Sequence, residues 1–507
     1  MAEGQRALGV SSGARRGIAV RLGVALAAGA AIALALFMLW REGAGIERTE
    51  IAVGQTPATL YALPGTEGAP LVVIAHGFAG SRQFMQSFSL TLARAGYAAL
   101  AYDLMGHGRN PVPMSGDVTS VDGTTRLLVE EANRVIERGL TLPQAGGGLA
   151  LVGHSMATDV LVRTALTRDD VAAIGAVSMY SEAVSAEVPE RLLMVSGEWE
   201  PHLRDAALDA MDQVAPGAGE GDTVTSDGVT RRAVVAPMVE HIGVLYSATT
   251  LTEVRAWLDA TFGRESGGPV AQRGPWVALL LAGIMALAWP LFSALPRSAG
   301  RIEPLSWRQL APALAVPFVA TPLALWPVEV AFLPVLVADY LALHLGLYGL
   351  LQIGVLWWLG QRPHWGPLWP ALALGAYGIA VFGLALDTFG ASFLPHAGRW
   401  PILAAVALGA VPFMVADMLA VAGGRAPLGQ RLAVRAAALG SFAFAVALDF
   451  EGLFFLVLIM PIILVFFLIF GTMGGWVGRR AGPLAPGLAL GVILAWSIGV
   501  SFPLFST

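Results

Sequence analysis

The chain has 507 residues, of which 56% are hydrophobic and only 13% are charged, and its formal net charge is −5 at pH 7. Soluble domains carry about 25% charged residues, so we expect much of this chain to face something other than water. The acidic balance and the lack of a basic stripe argue against nucleic-acid binding. The sequence contains no cysteine, which excludes disulfides, thiolate metal sites and a cysteine nucleophile.

An apolar run without a charge occupies residues 22–40 and is preceded by four arginines. About 20 apolar residues in a helix cross the ~30 Å hydrocarbon core of a bilayer. The run is long for a signal peptide and ends at Leu39-Trp40-Arg41, which lacks the small residues of a cleavage site. We therefore predict a cytoplasmic segment over residues 1–21 and an uncleaved transmembrane anchor over 22–40.

The region after residue 272 consists of apolar runs separated by short loops that carry arginine and proline. The runs lie near residues 275–295, 310–326, 332–359, 367–386, 400–421, 432–449, 453–475 and 484–505. Together with the first helix they make about nine spans. The sequence therefore predicts an all-α membrane bundle of about eight transmembrane helices over residues 273–507.

Arginines mark alternate loops of this predicted bundle. The loops assigned to the cytoplasmic side carry Arg297, Arg301, Arg308, Arg362, Arg425, Arg431, Arg479 and Arg480. The opposite side carries only Arg399, with acidic residues that we interpret as lying at the membrane interface: Glu329, Asp387, Asp449 and Glu451. This alternation follows the positive-inside rule. It predicts a multi-pass plasma (inner) membrane protein with a cytoplasmic N-terminus and residues 41–272 outside the cytoplasm, on the periplasmic side in a Gram-negative cell.

Strand patterns alternate with helix patterns between residues 45 and 265. The predicted strands are a hairpin (Glu50–Val53, Ala58–Ala62) and then Leu71–Ala75, Ala98–Tyr102, Leu149–Val152, Ile174–Met179, Leu192–Ser196 and Ala233–Ala236. The predicted helices are Phe84–Arg94, Thr124–Arg138, Ala157–Thr167, Leu203–Met211 and Leu251–Phe262. Such alternation is typical of a mostly parallel sheet with helices on both faces, so we predict one α/β domain here.

A sharp turn at Gly153-His154-Ser155-Met156-Ala157 connects one of these strands to the helix that follows. A serine at a strand-to-helix turn presents its hydroxyl at the edge of the sheet, and small residues on either side let strand and helix pack closely. Ala157 stands where glycine is usual, which is the mildest departure from the pattern. We predict Ser155 as a nucleophile.

A serine hydroxyl needs a base, and the base needs an acid to fix its tautomer and stabilise its charge. Only His202 and His241 follow Ser155 before the bundle, and His241 is favoured because it comes directly after the last predicted strand. Glu200, which follows the preceding strand, is the favoured acid. Glu198 and Glu182 remain alternatives.

The negative charge that develops on the substrate oxygen requires hydrogen-bond donors that are already in place. His76-Gly77-Phe78 follows the strand Leu71–Ala75, at the same edge of the sheet as Ser155. The backbone N–H groups of Phe78 and Met156 are therefore predicted to form an oxyanion hole. This chemistry requires neither a metal nor an organic cofactor.

At these residues the chain resembles the α/β-hydrolase superfamily, in particular its lysophospholipase, monoglyceride-lipase and serine-aminopeptidase-like branch. The resemblance is carried by His76-Gly77-Phe78, the segment from Asp103 to Gly108, the turn at 153–157, Gly197-Glu198-Trp199-Glu200, and His241 followed by a helix. It implies an α/β-hydrolase fold, serine hydrolysis and a structural role for His107, but no particular substrate; we expect ester bonds rather than peptide bonds. The sequence departs from the branch at Asn110, where serine is common, and at Glu200, where aspartate is usual.

Members of this branch often carry a helical lid between the sixth and seventh strands. Here only residues 180–190 are available, which is too short for a lid. Either the site is open, or it is covered by the loop at residues 109–121 or by the outer face of the bundle.

Ionisable residues also fall within the predicted spans, where each costs roughly 2.5–3.5 kcal/mol or more to insert. For Asp417, which lies near the cytoplasmic end of its span, we favour a structural explanation, either a hydrogen bond between helices or a side chain that extends to the membrane surface. Asp339 and His344 could serve a function or a similar structural bond. Their spacing of five puts them on different helix faces, which argues against one shared metal site.

The sequence thus predicts a membrane-embedded serine hydrolase that cleaves an ester, thioester or amide, acting on a small-molecule or lipid acyl substrate beside the bilayer. Two alternatives remain. The first is a transporter or scaffold with a non-catalytic hydrolase-like domain, and the second is an acyltransferase that uses the same three residues. The sequence does not indicate an oligomeric state.

Overall fold

The computed structural model of the chain describes residues 12–117, 120–297, 302–328, 333–335, 337–362 and 366–506. Arg6, the first of the four arginines before the predicted anchor, lies outside these residues, as do Arg301 and Glu329. The strands are β1 (Glu47–Val53), β2 (Thr56–Ala62), β3 (Ala69–Ala75), β4 (Ala98–Tyr102), β5 (Ala145–His154), β6 (Val171–Val177), β7 (Arg191–Gly197), β8 (Thr223–Ser226) and β9 (Val229–Ala236).

Six helices belong to the N-terminal half of the chain and nine to the C-terminal half. The first six are α1 (Ser12–Gly43), α2 (Gln86–Arg94), α3 (Arg126–Leu140), α4 (Met156–Leu166), α5 (Pro201–Asp212) and α6 (Ala248–Phe262). The others are α7 (Gly274–Ser293), α8 (Trp307–Leu325), α9 (Ala338–Trp358), α10 (Trp369–Ala376), α11 (Gly383–Phe389), α12 (Trp400–Ala420), α13 (Leu428–Leu448), α14 (Phe450–Ala481) and α15 (Leu484–Ser501).

All nine strands form one sheet in the order β1-β2-β4-β3-β5-β6-β7-β9-β8. The six strands from β4 to β9 in this order pair in parallel, and an antiparallel pairing closes each edge. The carboxyl ends of the parallel strands therefore meet at one edge, where ligands bind in such sheets. This confirms the predicted fold class. The short edge strand β8 has no counterpart in the prediction.

Strand β3 shows why the central strands are apolar throughout. Leu71 and Val73 pack on one face of the sheet with α3, α4 and α5, whereas Val72 and Ile74 pack on the other with α2 and α6. Successive side chains of a strand point to opposite faces, so a strand covered on both sides has no polar position. Helices on both faces thus leave only the strand ends available for polar groups.

Nine helical segments in the described part of the chain are long and apolar enough to cross a bilayer. They coincide with the nine predicted runs. The fifth is composed of α10, a π-helical stretch (Tyr377–Phe382) and α11. The short run near 310–326 is a single helix despite three internal prolines.

Glycines bring the central helices of the bundle into close contact. A Cβ on Gly409 of α12 would lie 2.0 Å from the Ala342 carbonyl oxygen of α9, and one on Gly349 would lie 2.4 Å from the Phe413 nitrogen. Gly491 of α15 approaches α12 in the same way. Small residues at such contacts are how apolar helices associate without a hydrophobic driving force.

Buried polar contacts attach the α/β domain to the bundle. Arg399, which is 1% exposed, donates to the carbonyl oxygens of Gly499, Phe502 and Gly106, the last of which belongs to the α/β domain. Arg109 pairs with Asp387 at 2.5 Å. The Asp387 carboxylate is thus buried and paired with the α/β domain, and its position at the membrane interface stays a prediction.

Candidate active site

The turn between β5 and α4 holds Ser155 in a strained conformation, with φ 55° and ψ −126°. The backbone N–H of Ser155 donates to the Val177 carbonyl at the end of β6 (2.9 Å). A Cβ on Gly153 would lie 3.1 Å from the Ala157 carbonyl oxygen, which explains the small residues around the serine. The serine hydroxyl is thus presented above the carboxyl end of the sheet.

The loop after β9 brings His241 to this hydroxyl. The Nε2 atom of His241 lies 2.9 Å from Ser155 Oγ, and its Nδ1 atom lies 2.5 Å from Glu200 Oε1. Glu200 stands at the start of α5, three residues after β7 ends. Three side chains from three strand ends therefore form one continuous hydrogen-bonded chain, in the geometry that activates a serine.

The carboxylate of Glu200 is buried and fully engaged. Its Oε2 atom accepts hydrogen bonds from the Gly197 N–H (2.6 Å) and from the Ser178 hydroxyl (2.8 Å). Burial raises the pKa of Glu200, but the hydrogen bonds from His241, Gly197 and Ser178 outweigh it, so the pKa lies below its usual value. Glu200 therefore stays ionised and able to stabilise an imidazolium.

The alternative residues lie elsewhere. Glu198 accepts from the Met238 N–H, and Glu182 accepts from the exposed Tyr180 hydroxyl. His202 is exposed on the first turn of α5. Within the described residues, only Glu200 is hydrogen-bonded to His241 through a carboxylate.

Two residues of the site were missed by the sequence analysis. Ser178 orients Glu200, and its position after β6 at the same sheet edge was the signal that could have found it. His154 donates from Nε2 to the His241 carbonyl oxygen (2.9 Å), and burial lowers its pKa to about 3. No sequence pattern indicates this second contact, because it joins residues 87 positions apart.

The predicted oxyanion donors border the same space. Met156 is the first residue of α4, and the first N–H groups of a helix have no partner within it. Phe78 follows Gly77, where a Cβ would lie 2.9 Å from the Ser155 Cβ. His76 fixes this loop, since its Nδ1 donates to the Gly77 carbonyl and its Nε2 accepts from the Leu104 N–H.

The segment after β4 supports the site from behind. Asp103 accepts from the backbone N–H groups of Arg82 and Arg109, and Asn110 donates to the Asp103 carbonyl. His107 is buried and donates from Nδ1 to the Met105 carbonyl. These contacts give the segment a structural function in the described chain, as the resemblance implies for His107.

A cavity of about 780 Å³ lies above Ser155 and His241. Both candidate covers contribute to it: Met114 and Val121 come from the loop at 109–121, and Phe454 and Phe455 come from α14. The bundle thus provides part of the cover for this cavity.

The ionisable residues within the bundle are engaged in helix contacts. The Nε2 atom of His344 lies 3.0 Å from the Ser441 hydroxyl oxygen, and the Oδ1 atom of Asp417 lies 3.4 Å from the Nε atom of Arg435. Across the described residues, no group of three histidine or acidic side chains could hold a metal ion.

Comparison with known proteins supports the fold. Residues 67–232 match the family described as serine aminopeptidase, S33. No curated protein is similar in sequence.

Among solved structures, a dienelactone hydrolase from Anabaena variabilis is 18% identical, covers 44% of this chain and 100% of its own, and has a TM-score of 0.31. An epoxide hydrolase from Vigna radiata is 14% identical over 43% of this chain and 98% of its own (TM-score 0.31). A bacterial membrane phospholipase A is 15% identical over 49% and 98% (TM-score 0.32).

Proposed function

Because residues 67–232 belong to the serine-aminopeptidase-like α/β hydrolases, we propose that the protein is a membrane-embedded serine hydrolase that cleaves an acyl ester, thioester or amide. The observation that supports the proposal is the continuous chain of hydrogen bonds from Ser155 through His241 to Glu200. A domain that only binds ligands has no need of a serine in a strained turn beside a base.

In the first half of the reaction, Ser155 Oγ attacks the carbonyl carbon of the substrate while its proton passes to His241 Nε2. The electron pair of the carbonyl moves to the oxygen, which the N–H groups of Phe78 and Met156 stabilise. The bond to the leaving group then breaks, and His241 returns the proton to that group. An acyl-enzyme on Ser155 remains.

Water completes the reaction by the same steps. The water oxygen attacks the acyl carbon while His241 takes a proton from the water. His241 then gives that proton to Ser155 Oγ as the carboxylic acid product leaves. The Glu200 carboxylate stabilises the imidazolium in both halves, and its lowered pKa keeps it ionised.

A fluorophosphonate probe tests the nucleophile on the full-length protein. We expect labelling and p-nitrophenyl ester hydrolysis in the wild type, and loss of both in Ser155→Ala. Ser226→Ala, which removes an exposed serine on β8, is the control and should retain both. Labelling of Ser155→Ala at the wild-type level would remove this residue from its role.

The proposal also places the α/β domain outside the cytoplasm, on the basis of the arginine distribution and the nine apolar helices. The absence of cysteine makes a clean test possible. An impermeant maleimide should label Glu67→Cys in intact cells and Arg362→Cys only after lysis, since both positions are exposed. The reverse pattern would invert the orientation.

A further inference from the structure

Three aromatic residues from outside the α/β domain line the Ser155 cavity. Phe454 and Phe455 stand in the first turns of α14, and Phe505 follows α15. The ring of Phe455 lies 5.5 Å from that of Phe78, the residue assigned to the oxyanion hole. The bundle therefore reaches to within one side chain of the reacting atoms.

The chain end that carries Phe505 is firmly attached. Residues 502–506, which we call the C-terminal segment, exchange backbone hydrogen bonds with the loop of the α/β domain: Met114 donates to Leu504, Leu504 donates to Gly106, and Ser506 donates to Met114. Gly106 permits this approach, since its φ is +77° and a Cβ would lie 2.6 Å from the Leu504 carbonyl oxygen. Phe505 is only 3% exposed. The segment is thus a fixed wall of the cavity.

Phe454 also belongs to the outer surface of the bundle. Phe450, Phe454 and Leu458 are spaced four residues apart on one face of α14 and are 60%, 43% and 42% exposed. On a helix that spans a bilayer, such an apolar stripe faces the acyl chains of lipids. Since Phe454 lines the Ser155 cavity as well, the cavity extends to the lipid-facing surface.

The charged side chains of the cavity all lie on one side of it. The α/β domain contributes the ion pair between Asp159 and Arg163 (2.8 Å) together with Glu182, alongside apolar residues such as Leu128 and Val160. The bundle contributes Phe454 and Phe455. A substrate with an apolar acyl group and a polar leaving group matches this division.

We propose that Phe454, Phe455 and Phe505 form the acyl-binding wall of the active site, and that an apolar acyl chain reaches Ser155 from the bilayer past Phe454. This inference rests on the proposed function. It makes the bundle a determinant of substrate specificity, so the membrane domain is part of the enzyme and not only its anchor.

A series of p-nitrophenyl esters from acetate to palmitate, offered in phosphatidylcholine vesicles to the reconstituted full-length protein, tests this. We expect Phe454→Ala and Phe455→Ala to lower kcat/KM for palmitate about tenfold or more, because the chain loses its apolar contacts, with little change for acetate. Leu458→Ala, one turn further along the same exposed face, is the matched control and should leave the ratio of palmitate to acetate unchanged.

A second variant guards against loss of folding. Phe455→Trp adds volume to the wall and should shift the preference towards shorter chains, the opposite of a general loss of activity. Ratios that stay at the wild-type value in all three phenylalanine variants would overturn the acyl wall. A wild type that lacks Ser155-dependent fluorophosphonate labelling would instead contradict the proposed function.

Discussion

The α/β domain builds its side of the cavity from the ends of parallel strands, whereas the bundle builds its side from the ends of apolar helices. The sheet brings Ser155, Glu200 and His241 together with hydrogen-bond distances of 2.5–2.9 Å. In the described part of the bundle, the residues that line the cavity are phenylalanines. If the proposed function and the proposed acyl wall hold, catalytic geometry and substrate selection have separate structural sources, and substitutions on the two sides should have different consequences.

The largest effect is expected on the sheet side, at the base. His241→Gln removes the proposed proton acceptor of Ser155 and should lower kcat roughly a millionfold, as loss of the base does in a serine protease. Steady-state hydrolysis of p-nitrophenyl acetate measures this. His202→Gln is the control, because His202 is exposed on the first turn of α5 and is not part of the hydrogen-bonded chain from Ser155 to Glu200. Equal losses in the two variants would mean that His241 has no special role.

The acid should show a smaller effect on the same side. Glu200→Gln keeps the shape but removes the charge that stabilises the imidazolium, so we expect a loss of about 10⁴-fold in kcat. Glu198→Gln should retain activity, since the Glu198 carboxylate accepts from the Met238 N–H and is not the carboxylate bonded to His241. If Glu198→Gln proved to be the damaging variant, the acid would have to be reassigned.

The contrast between the two sides also explains what the sequence could predict. Residues such as Ser155 and His241 follow apolar strands, and parallel strands must end at one edge, so topology alone brings them together. The nine spans followed from length and hydropathy, because each helix must satisfy its own backbone within a bilayer.

Contacts between the two regions could not be predicted in this way. Arg399 carries the signature of an outer-loop arginine, yet it is buried and donates to Gly106 in the α/β domain. Asp387 similarly pairs with Arg109, 278 positions away in the chain. Hydrophobic periodicity and charge alternation do not specify which residues of the two regions contact each other. For the same reason, the sequence could not predict that Phe455 lines the cavity at Ser155.

The third prediction concerns the contacts that connect the α/β domain to the bundle. Arg399→Ala leaves the carbonyls of Gly106, Gly499 and Phe502 without their donor and should destabilise the protein by about 3 kcal/mol. We expect a lower thermal transition in detergent, with loss of activity at temperatures that the wild type tolerates. Arg126→Ala, which removes an exposed ion pair with Glu130, should change stability by less than ~1 kcal/mol. An Arg399→Ala protein as stable as this control would show that the interface between the α/β domain and the bundle does not depend on the hydrogen bonds of Arg399.

The smallest effect concerns pH and lies wholly on the sheet side. Burial lowers the pKa of His154 from 6.5 to about 3, so the folded protein resists a proton that the unfolded chain accepts. The contribution of neutral His154 to the free energy of unfolding is complete above pH 6.5. It is lost as the pH falls from 6.5 towards 3, because the unfolded chain then binds a proton that the folded protein does not. At pH 5.5 the loss is about 1.4 kcal/mol for this one group. Burial also lowers the pKa of His76 and His107, which adds to the same slope.

His154→Gln separates this group from the others, because an amide can still donate to the His241 carbonyl but does not titrate in this range. The thermal transition of the variant should fall less steeply between pH 7 and 5.5 than that of the wild type, while His202→Gln should follow the wild-type slope. A variant with an unchanged slope would mean that His154 takes up its proton in the folded state. The ring that donates to the His241 carbonyl would then carry a positive charge beside the base.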